Sequence, residues 1–299
     1  MTGSYRRIAA ALLSVAAALA GPATAATPDT PFVGRLDRYT TTYDDTLHDV
    51  ARRFDLGFTE LRAANPDVDP FTPGEGTRLI LPGAHLLPDA PRRGIVVNLA
   101  EMRLFYFTDD GIETFPLGIG REGVTTPLGG TSIVRKQESP AWYPPESIKA
   151  RQPDLPDMVP PGPDNPLGDH ALYLGWPAYL IHGTNKPYGV GRRVSSGCLR
   201  MYPEDIEHLY ETVPVGTPVT VVSQPIKFAW VDGELYMEAH PDPEVADEVM
   251  ESGDAPAQWP EQVLERAHEV AGDQAGRLDF PTLLQAAIER RGYPIRVTK

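Results

Sequence analysis

Two short runs decide how this chain is read: Ile181-His182-Gly183-Thr184-Asn185 and Val194-Ser195-Ser196-Gly197-Cys198-Leu199-Arg200-Met201. His182 ends an apolar strand, where a rigid scaffold can hold a side chain. Cys198 sits in a loop of small residues just before a helix expected from Pro203. A thiol attacks only as the thiolate, so a cysteine nucleophile needs a neighbouring base. It also needs donors for the oxyanion of a tetrahedral intermediate. The backbone N–H groups of Ser196 and Gly197, with those of Ser195 and Cys198, are the expected donors. On spacing alone, a core thiol and an unrelated surface histidine is the favoured reading.

Outward from this pair the sequence reads as short strands with turns between them. Strands are expected at Ile95–Leu99, Leu104–Phe107, Thr114–Leu117, Ser132–Arg135, Ala171–Leu174, Ala178–Ile181, Pro218–Val222 and Ile226–Trp230, the pattern of a mainly β domain. Residues 140–166 hold nine of the 32 prolines. Such a stretch is expected to be neither helix nor central strand, but a stiff loop walling the site. Gly118-Ile119-Gly120-Arg121-Glu122-Gly123 matches the dinucleotide pattern. Val124-Thr125-Thr126-Pro127 follows it and cannot begin the helix such a site needs, so the glycines are read as tight β turns.

The remaining segments divide the chain. Residues 1–25 read as a secretory signal peptide: Arg6 and Arg7, an uncharged apolar run, then Ala23-Thr24-Ala25. That run is too short to span a bilayer, and no later segment is apolar enough to do so. Residues 38–84 give strand, helix, helix, strand, with Leu47, Val50, Ala51 and Phe54 on one helical face behind an Asp45-Thr46 cap. His85–Arg93 reads as a linker. Residues 240–299 read as an acidic, helical extension that packs on the β domain.

Composition narrows the function. Asp and Glu total 41 against 27 Lys and Arg, a net charge of -14, which excludes a protein that grips nucleic acid through its phosphates. Cys198 is the sole cysteine, so no internal disulfide and no thiolate-rich zinc site can form. The seven histidines include no close ligand pair, and neither metal nor cofactor is expected.

The His–Cys segment resembles the signature of the L,D-transpeptidase (YkuD-type) catalytic domain, a His-Gly strand end upstream of Ser-x-Gly-Cys-x-Arg. Thr126-Pro127-Leu128-Gly129 and Asn98-Leu99-Ala100-Glu101-Met102-Arg103-Leu104 resemble two further elements of that family. Ser196 stands where many members have histidine, which leaves His182 as the imidazole of the motif and points to the ErfK/YbiS-like branch. Residues 38–84 resemble a LysM module through Tyr39-Thr40, Asp45-Thr46-Leu47, Ala64-Asn65-Pro66 and Gly76–Pro82, with Asp44 in place of the usual glycine.

The resemblance implies a mainly β architecture: a YkuD-type β-sandwich over residues 94–223, a small α+β module before it and a helical extension after it. It implies a periplasmic enzyme whose Cys198 attacks the diamino acid–D-Ala bond of a peptidoglycan tetrapeptide stem, with His182 as proton donor and acceptor. The acyl group then passes to an amine, from a second stem or from the terminal lysine of an anchored lipoprotein. Arg200, Ser195, Gly183, Asn185 and Tyr188 are the expected substrate-binding residues, and stem peptides and glycan strands the expected partners. Water as acceptor would make a carboxypeptidase, and an inert Cys198 would leave a wall-binding protein.

Overall fold

The computed structural model describes residues 30–121, 126–254 and 261–299. The expected signal peptide lies outside the described residues. The first unit is β1 (Phe32–Thr40), α1 (Leu47–Arg53), α2 (Phe58–Ala64) and β2 (Arg78–Leu86). β1 and β2 pair antiparallel from Phe32↔Leu86 to Thr40↔Arg78. Thr46 caps α1, accepting from the Asp49 N–H, and Leu47, Val50, Ala51, Leu61, Leu79 and Leu81 form the small core. The strands run past the limits read from sequence: β1 begins at Phe32, and β2 continues through Pro82. A two-strand ribbon has only edges, so Pro82 removes no ladder bond that a central strand would need. His85, expected in a linker, is therefore a strand residue, and it is 1% exposed.

The second unit carries β3 (Gly94–Asn98), β4 (Arg103–Phe107), β5 (Ile112–Pro116), β6 (Ile119–Gly120), β7 (Gly129–Glu138), α3 (Glu146–Lys149), β8 (His170–Leu174), β9 (Leu180–His182), β10 (Arg193–Ser195), β11 (Leu199–Arg200), α4 (Pro203–Thr212) and β12 (Pro218–Val222). Eight strands form one sheet in the order β11-β9-β8-β7-β12-β3-β4-β5, and β6 pairs with β10 apart from it. The glycines at 118–120 thus belong to a strand end, not to a tight turn. One helical turn, α3, interrupts the proline-rich loop in a gap between prolines.

The unbroken apolar runs of β3 and β4 have a simple cause. Ile95, Val97, Leu104 and Tyr106 face the main core with α4's Ile206 and Leu209. Val96, Phe105 and Phe107 face the other way, against Val33 and Leu87 of the first unit. A sheet covered on both faces needs apolar residues at every position.

The third unit differs from the helical tail read from sequence. It opens with β13 (Ile226–Val231) and β14 (Glu234–Ala239), continues through α5 (Ala246–Ser252), α6 (Glu261–Ala271) and α7 (Phe280–Glu289), and closes with β15 (Ile295–Arg296). β13, β14 and β15 make a separate antiparallel sheet. α6 and α7 bury Val263, Ala267, Leu283, Ala286 and Ala287 on Leu235 and Met237. The expected helices are present, and the strand read at Ile226–Trp230 serves this sheet instead of the central one.

Candidate active site

Parity along two adjacent strands builds the site. β9 and β11 pair in parallel, with Leu199 opposite Ile181 and Arg200 opposite His182. Ile181, Leu199 and Met201 enter the main core. Alternation then sends Leu180, His182, Cys198 and Arg200 to the opposite face. Two residues sixteen apart in sequence thus become diagonal neighbours on one surface. The Met201 N–H donates to the His182 carbonyl at 2.9 Å, which locks the register.

The imidazole is 4% exposed, and its Nδ1 lies 2.6 Å from the Gly183 carbonyl. A carbonyl can only accept, so Nδ1 carries the proton and Nε2 keeps its lone pair. The Leu167 carbonyl lies beside Gly183, 3.3 Å from where a Cβ on that glycine would stand. Burial, and then the nearby Arg200 charge, push the His182 pKa down to about 4. Burial also raises the Cys198 thiol, against the smaller opposing effects of the Leu180 backbone and Arg200. At neutral pH the pair therefore rests as thiol and neutral imidazole, with a free base nitrogen. The Cys198 thiol is 3.5 Å from the Ala178 carbonyl. Ala178 has φ +68°, a strained backbone of the kind that collects at functional sites.

The cysteine loop is held from inside. Ser195 Oγ donates to the Cys198 carbonyl at 2.6 Å and accepts the Gly197 N–H at 3.2 Å. Gly197 has φ +101°, a conformation that a Cβ disfavours. Thr126 Oγ1 donates to the Gly197 carbonyl at 2.8 Å, tying the Thr126–Gly129 element to the loop. Ser195, expected at the substrate, is buried, and its hydroxyl organises the loop. The Gly197 N–H is engaged by Ser195, which leaves the Ser196 and Cys198 amides as the candidate oxyanion donors.

Arg200 is half-buried, its Nε has no hydrogen-bond partner, and it forms no ion pair among the described residues. Burial lowers its pKa. A guanidinium in such a place awaits an anion. Gly183, expected at the substrate, is packed under Ile206 and Leu167, and its carbonyl accepts from His182 Nδ1. Asn185 is exposed. Tyr188 is 66% exposed and stands edge-on to His48 of the first unit, 5.4 Å between ring centres. Both are exposed residues of the segment between β9 and β10. Leu167, Ala178 and Leu180 act through backbone atoms, which no side-chain pattern in the sequence could reveal.

A second polar cluster lies where the three units meet. His85, Glu101 and Glu238 offer ligand atoms within 4.8 Å of one another. However, Lys227 Nζ stands 2.7 Å from Glu101 and 3.0 Å from Glu238, in the place a cation would take. Glu238 also accepts the Leu86 N–H and pairs with His240 at 2.6 Å. Arg103 pairs with Glu60 at 2.7 Å. The cluster joins α2, β2, the β3–β4 turn and the third unit's sheet by charge.

A thiol and a neutral imidazole on one face of a curled sheet, beside a guanidinium with no ion-pair partner among the described residues, define a cysteine-dependent β-sheet class. Residues 92–221 match YkuD, the L,D-transpeptidase catalytic domain. The chain is 44% identical over 202 residues to the probable L,D-transpeptidase ErfK/SrfK of Escherichia coli, covering 65% of each. It is 45% identical over 130 residues, 43% of this chain and 68% of the relative, to a putative L,D-transpeptidase of Fuscovulum blasticum. It is 31% identical over 178 residues, 59% of this chain and 93% of the relative, to the putative L,D-transpeptidase YkuD of Bacillus licheniformis. The chain belongs to the L,D-transpeptidase family of the YkuD type. It spans just under two thirds, 65%, of the ErfK/SrfK relative's length.

Proposed function

We propose that this protein is a periplasmic peptidoglycan L,D-transpeptidase. The observation that carries the reading is the shared sheet face of Cys198, His182 and Arg200. His182 Nε2 takes the thiol proton as Sγ attacks the carbonyl of the diamino acid–D-Ala bond. The Ser196 and Cys198 amides receive the developing oxyanion. The C–N bond breaks, the imidazolium returns its proton to the departing amine of D-Ala, and a thioester remains on Cys198. An acceptor amine then attacks the thioester, gives a proton to His182, and the thiol is released with that proton. Arg200 holds a stem carboxylate. The exposed residues Asn185 and Tyr188 meet the stem or its glycan.

The first unit's βααβ order supports a LysM-like role in holding glycan strands, and the leader pattern supports export to the periplasm. Among the described residues no helix is long and apolar enough to cross a membrane. The acceptor amine is a second stem or the terminal lysine of an anchored lipoprotein. The test is intact-mass detection of an adduct on Cys198 after incubation with a stem tetrapeptide, followed by each amine. Thioester formation that is lost in Cys198→Ala and discharged by amine supports the reading. Discharge by water alone would make the protein a carboxypeptidase. Absence of any adduct on wild type would end the enzymatic reading.

A further inference from the structure

The proline-rich loop reaches the catalytic imidazole through one buried amide. Asn165 is 0% exposed. Its Nδ2 donates to the carbonyls of Pro140 at 2.8 Å, Pro160 at 3.1 Å and Val159 at 3.3 Å. Its Oδ1 accepts the Leu167 N–H at 2.9 Å. Its own backbone accepts from Gly168 at 3.1 Å and donates to Gly162 at 3.0 Å. A single side chain thus pins the start, the middle and the end of a loop that nine prolines already stiffen. A buried primary amide left without these partners would be costly, so the arrangement is strongly specified.

The end of that loop lies directly against the His182 strand end. Leu167 is 6% exposed, and its carbonyl is 3.3 Å from the point where a Cβ on Gly183 would stand. Gly168 has φ +67°, and a Cβ there would meet the Thr184 nitrogen at 2.7 Å. Backbone touches backbone, so a shift of residues 165–168 moves Gly183, whose carbonyl accepts from the His182 Nδ1 at 2.6 Å.

We infer that Asn165 is a positioning residue for His182: by fixing the loop against Gly183 and Thr184 it keeps the Gly183 carbonyl on Nδ1 and helps hold the Nδ1–H tautomer. The catalytic part of this inference rests on the transpeptidase reading; the tautomer part does not. Partners that orient a functional histidine are typically worth about 10- to 100-fold.

The experiment compares full-length wild type, Asn165→Ala and Gly168→Ala. Gly168→Ala disturbs the same contact from the other side and leaves the amide intact. Folding is checked by circular dichroism, and thiol access by iodoacetamide alkylation at strongly alkaline pH, where no base is needed. Two quantities are then read: the His182 tautomer by 15N NMR, and the rate of Cys198 acylation by a stem tetrapeptide. The expected result is folded protein with normal alkylation, a mixed tautomer, and acylation slowed about 10- to 100-fold in the rate constant, with little change in the substrate concentration for half-saturation. A folded variant with wild-type tautomer and wild-type acylation overturns the inference. Loss of stability alone, with both readouts intact per folded molecule, overturns it as well. If wild type itself forms no acyl-enzyme, the transpeptidase reading fails, and the tautomer measurement still decides the positioning role.

Discussion

Arg200 lies opposite His182 across the parallel β9–β11 pair, on the face that also carries Cys198. One guanidinium without a carboxylate partner among the described residues thereby acts on both reacting groups. It opposes a second positive charge on the imidazole, and it favours the thiolate.

Replacing Arg200 with Gln should therefore separate binding from chemistry. Removing the positive charge lets the His182 pKa rise and pushes the Cys198 pKa further up. The alkylation midpoint of Cys198 should move to higher pH, and the NMR titration of His182 should move to higher pH. Loss of a charge-assisted contact to a stem carboxylate should raise KM by about 10-fold or more. An unchanged KM would place the carboxylate elsewhere.

Acid should stop the reaction late and destabilise the fold early. With its pKa near 4, His182 remains a base until the pH falls below about 5, so the acid limb of kcat/KM should have its midpoint near 4. The stability effect has the opposite range. The unfolded imidazole takes up a proton near pH 6.5 and the folded one does not, so stability is lost as pH falls from about 6.5 to 4. That loss is about 3 kcal/mol for this group. Chemical denaturation of wild type and His182→Gln at pH 7 and pH 4.5 should show a smaller pH dependence in the variant.

The buried junction should tolerate loss of its cation badly. Lys227 and Glu101 are 2% and 1% exposed at their side chains, and Lys227→Met leaves two interior carboxylates facing each other. The expected cost is about 3–5 kcal/mol in urea denaturation. A change below about 1 kcal/mol would mean that the three units are held by apolar contacts alone.

A stabilising change is expected at the contact between the first unit and α4. Asp205, in the first turn of α4, lies beside Asp55, and burial followed by the Asp55 charge pushes its pKa up to about 9. A raised carboxylate pKa supports folding below the unfolded value and loses that support as pH rises toward 9. Asp205→Asn keeps the size and polarity of the side chain without the ionisation. It should unfold at higher temperature than wild type at pH 8, and the difference should vanish near pH 3.5.

Much of the fold was legible because it follows local pattern. The Thr46 cap and the Leu47, Val50, Ala51 stripe specify α1, and Pro203 marks the start of α4. The strand at Pro218–Val222 falls at the residues read from sequence. What was misread depends on neighbours distant in sequence. His85 looks like linker because Pro82 seems to end its strand, yet β1 pairs beyond it. Glu234–Ala239 alternates poorly, with Glu238 pointing inward, because its polar partner Lys227 lies on the next strand.

The sequence by itself determined the chemistry: one thiol, an imidazole at a strand end, and a small-residue loop ending in arginine. Those properties belong to residue types and short spacings, which the chain carries before it folds. Tertiary structure decided how the chemistry is held. The parallel register of β9 and β11 puts Cys198, His182 and Arg200 on one face. Ser195 turns inward, and the Gly183 carbonyl, packed beside Leu167, fixes the ring. These are backbone and register effects, set by which segments meet across the sheet, and side-chain identity alone does not encode them.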